Sequence, residues 1–193
     1  MKLLPLYTNC VLRSDAVAGG PDITCDDRSC AMYRALTADI NLSIVYTYPR
    51  LLPLIPLADE NTRHIQPLRA SVDKINDQGV YLLENGVHML VWVGSQAPSE
   101  FVRDVFGVSS AQQIDPQVAE LPVLDTPASR AVRGLLDDVR ANRRNAMRLM
   151  VVHQYSKDVP LFRRLLVEDQ GVDGSPAYTQ HLMAVHKAVL KMI

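Results

Sequence analysis

The chain has 193 residues, 48% of them hydrophobic, with 20 basic against 21 acidic side chains and a net charge of −1 at pH 7. With a mean hydropathy of +0.00 and a pI near 6.5, it has no global field that would hold nucleic acid or a strongly anionic surface, and it reads as soluble and globular. Prolines and charges interrupt every apolar run before the ~20 residues that a bilayer crossing needs.

Such a length can bury a substantial core, for one domain or for one and part of another. The apolar start Leu3–Leu6 is too short for a secretory signal and lacks a small-residue cleavage pattern. Cys10, Cys25 and Cys30 are odd in number and include no CxxC pair. That suggests neither a disulfide framework nor a zinc site and fits a reducing compartment such as the cytosol. As small apolar residues with no histidine placed beside them, the three are expected to be packed.

In chain order, residues Leu3 to Ser14 are apolar with a break at Pro5, and Gly19-Gly20-Pro21 forms a loop. Asp27 is the expected N-cap of a helix carrying Ala31, Met32, Ala35, Leu36 and Ile40 at helical spacing. These two pieces are too small to stand as a domain. Their apolar faces need partners that the remaining sequence does not supply, which points to a piece of a longer polypeptide.

Ile44-Val45-Tyr46-Thr47-Tyr48 predicts a strand, and Pro49-Arg50-Leu51-Leu52-Pro53-Leu54 continues it as an irregular extended arm, since proline cannot sit in a central ladder. Residues 58–67 are polar and predict a loop, and Ser71–Ile75 a short helix or turn. The organising stretch is Gly79–Ser95. Val80-Tyr81-Leu82-Leu83 and His88-Met89-Leu90-Val91-Trp92-Val93 flank Glu84-Asn85-Gly86, the pattern of a β-hairpin with both turn residues tolerant of positive φ. The second run is almost continuously apolar, as a central strand covered on both faces should be, and it places Trp92 in the core.

Ser99–Phe106 predicts an amphipathic helix closed by Gly107, and Val108–Asp125 is mostly irregular. Thr126-Pro127 then opens the longest helix, with Val132, Leu135, Leu136 and Val139 on one face, running to about Asn145. Met147–Gln154 predicts a third, central strand. Asp158 caps a helix with Leu161, Phe162, Leu165 and Leu166 inward, and Ser175-Pro176 starts a last helix along Tyr178, Leu182, Val185 and Val189. Strands alternating with helices predict an α/β fold with a mixed sheet between helices.

No catalytic, cofactor-binding or metal-ligating set emerges. GxGxxG, GxxxxGK[ST], HExxH and GxSxG are all absent from the sequence. His181 and His186 are five apart and so do not share a helical face, while His88 and His153, placed in strands, read as structural. Asp137 and Asp138 are adjacent on a helix and point apart, so they cannot act as an acid/base pair. Arg130, Arg133, Arg140, Arg143, Arg144 and Arg148 make the long helix basic, which is expected to be a solvated face whose arginine stems cover apolar surface. An interaction or structural module is therefore favoured over an enzyme.

The hairpin with LLENG and LVWVG resembles the gelsolin-like fold. Beyond it, Tyr48-Pro49-Arg50-Leu51, Phe106-Gly107-Val108, Leu121-Pro122-Val123-Leu124-Asp125, Val132-Arg133-Gly134-Leu135 and Leu166-Val167-Glu168-Asp169 are similar, in order, to the cargo-adaptor subunit family of the COPII vesicle coat. LPLYTNCVLRSDA and DDRS resemble the end of that family's all-helical domain. The resemblance covers nearly the whole chain and implies a C-terminal fragment: residues 1–41 from the helical domain, 42–170 gelsolin-like, and 171–193 a terminal helix.

It implies as partners the other domains of the same coat subunit, the related COPII partner subunit and the cytosolic tails of cargo, with no nucleic acid. Location would be cytoplasmic, peripheral on the endoplasmic reticulum membrane, at exit sites and on vesicles, with recruitment by a small GTPase. The family's zinc-binding domain, trunk and β-barrel lie outside this chain, so no cofactor is expected within it and no cargo-binding residue is assigned. The alternative is a calcium-dependent, actin-binding module of the gelsolin and villin type. There the resemblance places a calcium-ligating Asp just before the first hairpin strand and a Glu on the next helix. Here those positions hold Gly79, which has no side-chain oxygen, and Glu100.

Overall fold

The computed structural model describes residues 3–19, 23–59, 65–116, 118–154 and 156–192. Three helices come first: α1 (Leu4–Arg13), α2 (Cys25–Thr37) and α3 (Ile40–Thr47). Then follow β1 (Arg50–Pro53), β2 (Val80–Glu84), β3 (Met89–Val93), α4 (Ser99–Phe106), α5 (Pro127–Ala141), β4 (Leu149–His153), α6 (Val159–Arg164) and α7 (Tyr178–Leu190), with short 3-10 turns at Ile55–Ala58, Val72–Lys74 and Ala111–Gln113.

The four strands lie in the order β1-β2-β3-β4. β1, β2 and β3 are antiparallel, whereas β4 runs parallel to β3, so the crossover through α4 and α5 is long. Both hairpin strands are buried at every position. Their side chains alternate between two cores. Val80, Leu82, Met89, Val91 and Val93 face α4 and α5, meeting Val102, Val105, Val132 and Leu136. Tyr81, Leu83, Leu90 and Trp92 face the other way, onto Phe162 and Leu166. A sheet with helices on both faces accounts for the unbroken apolar sequence of β3.

Several expectations change. Ile44–Tyr48 is helical, not a strand. Asp39 caps α3 by accepting from the Leu42 backbone N–H at 2.9 Å, and Pro49 ends the helix before the true edge strand β1. Local capping has outweighed the β-branched composition. The N-cap of α2 is Thr24, with Asp27 as its reciprocal partner at the third helical position, so the two form a capping box.

The hairpin loop spans four residues. Glu84 still pairs with Met89, and the Asn85 side chain accepts from the backbone N–H groups of Val87 and His88. Gly86 alone in this loop has positive φ, at 77°, so Asn85 does not use the positive φ that it tolerates. His88 consequently sits in the loop rather than in a strand.

β4 is at the edge of the sheet, not in its centre; its side chains are still mostly buried because helices cover both faces. α5 stops at Ala141, short of Asn145, and α7 begins at Tyr178, with the Gln180 side chain accepting from the Ala177 N–H. Gly107 takes the left-handed C-cap of α4 as the sequence predicts, with φ 74°. The expected loop at 58–67 and the one at Gly19-Gly20-Pro21 fall partly outside the described residues.

Candidate functional site

Two polar knots fix the geometry from which any surface of this chain is presented. In the first, Glu84 at the end of β2 has a side chain with no solvent exposure at all. Its Oε1 accepts from Arg143 Nη2 at 2.7 Å and from Arg50 Nη2 at 3.0 Å, and its Oε2 accepts from the Gly86 N–H at 3.1 Å. A buried carboxylate is tolerated only when paired and hydrogen-bonded in this way. Arg143 is itself 7% exposed, so this arginine is not part of the solvated helix face expected for residues 130–148. Arg130, Arg140 and Arg144 do remain outward, paired with Asp125, Asp137 and Asp39.

The second knot lies at Val167-Glu168-Asp169. Tyr48 Oη and the Arg69 guanidinium both donate to the Glu168 carboxylate, and the Tyr48 hydroxyl accepts from the Ala70 N–H at 3.0 Å. Burial, together with the hydrogen bond to Glu168, raises the Tyr48 pKa well above its ordinary value. Asp169 accepts from Ser71 Oγ and from the Val72 N–H. From the far end of the chain in sequence, Arg13 Nη1 donates to the carbonyls of Val167 and Asp169 at 2.7 and 2.6 Å. This knot therefore ties α1, the end of α3 and the 68–72 segment to one point.

Around these anchors the surface is apolar where the sequence expected partners. α2 buries only Ala31 among its described residues, leaving Met32, Tyr33 and Leu36 outward, Leu36 at 84% exposed, and Ile40 at the start of α3 is 79% exposed. α1, which packs on α3 and α7, still shows Leu3, Leu4, Val11 and Leu12. α7 has no buried residue and exposes Met183, Val189, Leu190 and Met192. Unpartnered faces of this kind mark contact surfaces for other protein.

The residues weighed for chemistry remain scattered. His181 and His186 stand on α7, and among the described residues no three His, Cys, Asp or Glu side chains group as metal ligands would. Cys10 is buried, but Cys25 and Cys30 are exposed, against the expectation that all three would be packed. A Cβ at Gly79 would stand 2.2 Å from the Tyr81 ring, which is buried and held by the Asn76 N–H donating to its hydroxyl. The carboxylate that the actin-binding alternative needs thus has no room there. Glu84 and the Glu168–Asp169 pair stood in the motifs of the resemblance, but the sequence reading gave them no anchoring role.

Residues 1–45 match the Sec23/Sec24 helical domain and residues 61–136 match the gelsolin repeat. All 193 residues align with human "Protein transport protein Sec24C" at 41% identity, and with human "Protein transport protein Sec24D" at 32%. The chain belongs to the Sec24 family. The crystal structure of the human COPII-coat protein Sec24c superposes on the whole chain with a TM-score of 0.91 and 41% identity, and the chain covers 25% of that one. It spans 18% of the length of Sec24C and 19% of Sec24D, so it corresponds to about a fifth of such a Sec24 protein. The motifs that carried the Sec24 resemblance meet in space. Tyr48 of Tyr-Pro-Arg-Leu bonds Glu168 of Leu-Val-Glu-Asp, and Arg50 of the first motif bonds Glu84 of the hairpin.

Proposed function

We propose that this chain serves as the C-terminal structural and protein-interaction part of a COPII coat cargo-adaptor subunit, in transport from the endoplasmic reticulum to the Golgi. The observation that carries this reading is the full-length superposition on the human COPII-coat protein Sec24c at a TM-score of 0.91. Residues 1–41 would close the helical domain, 42–170 form the gelsolin-like domain, and 171–193 supply a terminal helix, with α3 bridging the first two.

The action is non-covalent. The Glu84 knot ties β1 and β2 to the segment after α5 and the Glu168–Asp169 knot ties α1 and α3 to the 68–72 segment, while the exposed apolar faces of α1, α2 and α7 dock against the other domains of the subunit. Its partners would be those domains, the related COPII partner subunit and cargo tails, with the assembled coat peripheral on the cytoplasmic face of the endoplasmic reticulum. No catalytic role and no resident cofactor in this part follow from that reading.

The test is a chimera in which these 193 residues replace the corresponding 18% of human Sec24C, expressed in cells depleted of their own Sec24 proteins. Restored arrival of a secretory reporter at the Golgi is expected. A chimera that is expressed and enters the coat yet restores no transport would overturn the proposal.

A further inference from the structure

Asn85-Gly86 is the one Asn-Gly pair in the chain. Asparagine loses its side-chain amide most readily before glycine, because no Cβ on the next residue hinders ring closure. In that reaction the Gly86 nitrogen gives up its proton and bonds to Asn85 Cγ, while Nδ2 takes up a proton and leaves as ammonia. Water then opens the succinimide ring to aspartate or to isoaspartate, which carries the backbone through one extra carbon. One water enters and one ammonia departs, with no oxidation and no co-reactant besides water.

The fold needs both residues of this labile pair. Gly86 has φ 77°, a conformation that a residue with a side chain adopts only under strain, and a Cβ there would also press on Leu42 Cδ1 of α3, 2.2 Å away. Asn85 closes the hairpin loop, its Oδ1 accepting from the Val87 N–H at 3.1 Å and the His88 N–H at 2.8 Å. An aspartate could accept the same bonds, but it would set a second carboxylate next to the buried Glu84.

The loop also opposes the reaction in three ways. Asn85 is 6% exposed, so water and hydroxide are kept from it. The Val87 and His88 bonds hold its carboxamide in one orientation. The Gly86 N–H, whose proton has to leave first, donates to Glu84 Oε2 at 3.1 Å. Glu84 is itself held by Arg143 and Arg50, and Asn145 Nδ2 donates to the Gly86 carbonyl at 3.4 Å.

We propose that Asn85 is a deamidation site kept closed by the Glu84 knot and opened when the hairpin end parts from the segment after α5. While the knot is shut, the amide persists. Once Arg143 and Asn145 let go, water enters and the pair reacts as it would in an unstructured peptide. The product puts a charge, or an extra backbone carbon, where the hairpin loop meets Leu42 of α3 and the 142–145 segment. The modification therefore marks an opened hairpin end irreversibly.

The test is incubation of the 193-residue chain at pH 8, with the peptide that carries Asn85 followed by mass spectrometry. In the native chain, amide loss should be at least about tenfold slower than in concentrated urea, since it waits on a minor open population. Arg143→Met should speed the native rate about tenfold. Asn145→Ala, at an exposed residue whose loss leaves the core folded, should speed it about two- to threefold, as expected for one weak hydrogen bond. Phe162→Ala weakens the opposite face of the sheet and should speed it less than Arg143→Met does. A native rate equal to that in urea, no acceleration in either loop variant, or Phe162→Ala matching Arg143→Met would each overturn the proposal.

Discussion

Glu84 and Arg143, 59 residues apart in sequence, meet at 2.7 Å with side chains 0% and 7% exposed, and so fasten the end of the hairpin to the segment leaving α5. Arg143→Met leaves Glu84 with Arg50 and the Gly86 N–H, whereas Glu84→Gln leaves the buried Arg143 without its carboxylate. Glu84→Gln should therefore destabilise the chain by about 3–5 kcal/mol in urea unfolding, and Arg143→Met to a lesser degree. The double variant should cost less than the sum of the two singles. Additive costs would mean that the two groups do not act as a pair.

Alkaline stability should depend on Tyr48. Its pKa is raised from 10.0 by burial and by the hydrogen bond that it donates to Glu168. For a group raised in the folded state, the stabilisation is complete below the unfolded value near pH 10 and is lost as pH rises through the higher folded value. Unfolding free energy measured from pH 8 to 11 should fall more steeply above pH 10 in the parent than in Tyr48→Phe. Parallel profiles would remove Tyr48 from the alkaline transition.

The three thiols should separate by reactivity. Burial pushes the Cys10 pKa up to about 11, whereas Cys25 and Cys30 are exposed. A disulfide reagent at pH 8 should label two thiols within minutes and the third only after unfolding in guanidinium chloride. Prompt labelling of all three in the native chain would show that α1 is not seated as described.

Phe162 stacks on Trp92 with ring centroids 4.8 Å apart and is almost fully buried. Phe162→Ala should lower stability by about 3–5 kcal/mol through the cavity it leaves. Trp92 is the chain's single tryptophan, so the same variant should change its fluorescence emission. An unshifted spectrum would argue against the stack.

Calcium titration by calorimetry should detect no micromolar site at the hairpin. The position that would need a carboxylate is Gly79, where a Cβ would collide with Tyr81. Gly79→Asp should destabilise the hairpin rather than create a site, and calcium-dependent stabilisation of that variant would refute this account.

Much of the sheet was written locally. The nearly unbroken apolar run of β3, the Gly107 cap of α4 and the Thr126-Pro127 start of α5 are short-range signals, and each formed where its residues predicted. Misreadings arose where two local preferences competed. At Ile44–Tyr48 the β-branched composition yielded to the Asp39 cap, and His88, expected in a strand, is held in the hairpin loop by donating its N–H to the Asn85 side chain.

By itself the sequence determined the α/β class, the two helix-covered faces of the hairpin, the family resemblance and the lack of any catalytic motif, because all of these reside in spacing along the chain. Only the tertiary structure decided that Glu84, Glu168 and Asp169 are anchors, that β4 lies at an edge, and that Arg13 reaches the 167–169 segment from 154 residues away. A charged residue in a sequence is expected to face water. Whether it is instead buried depends on which distant cation or hydroxyl the fold brings within about 3 Å, and no local pattern encodes that distance.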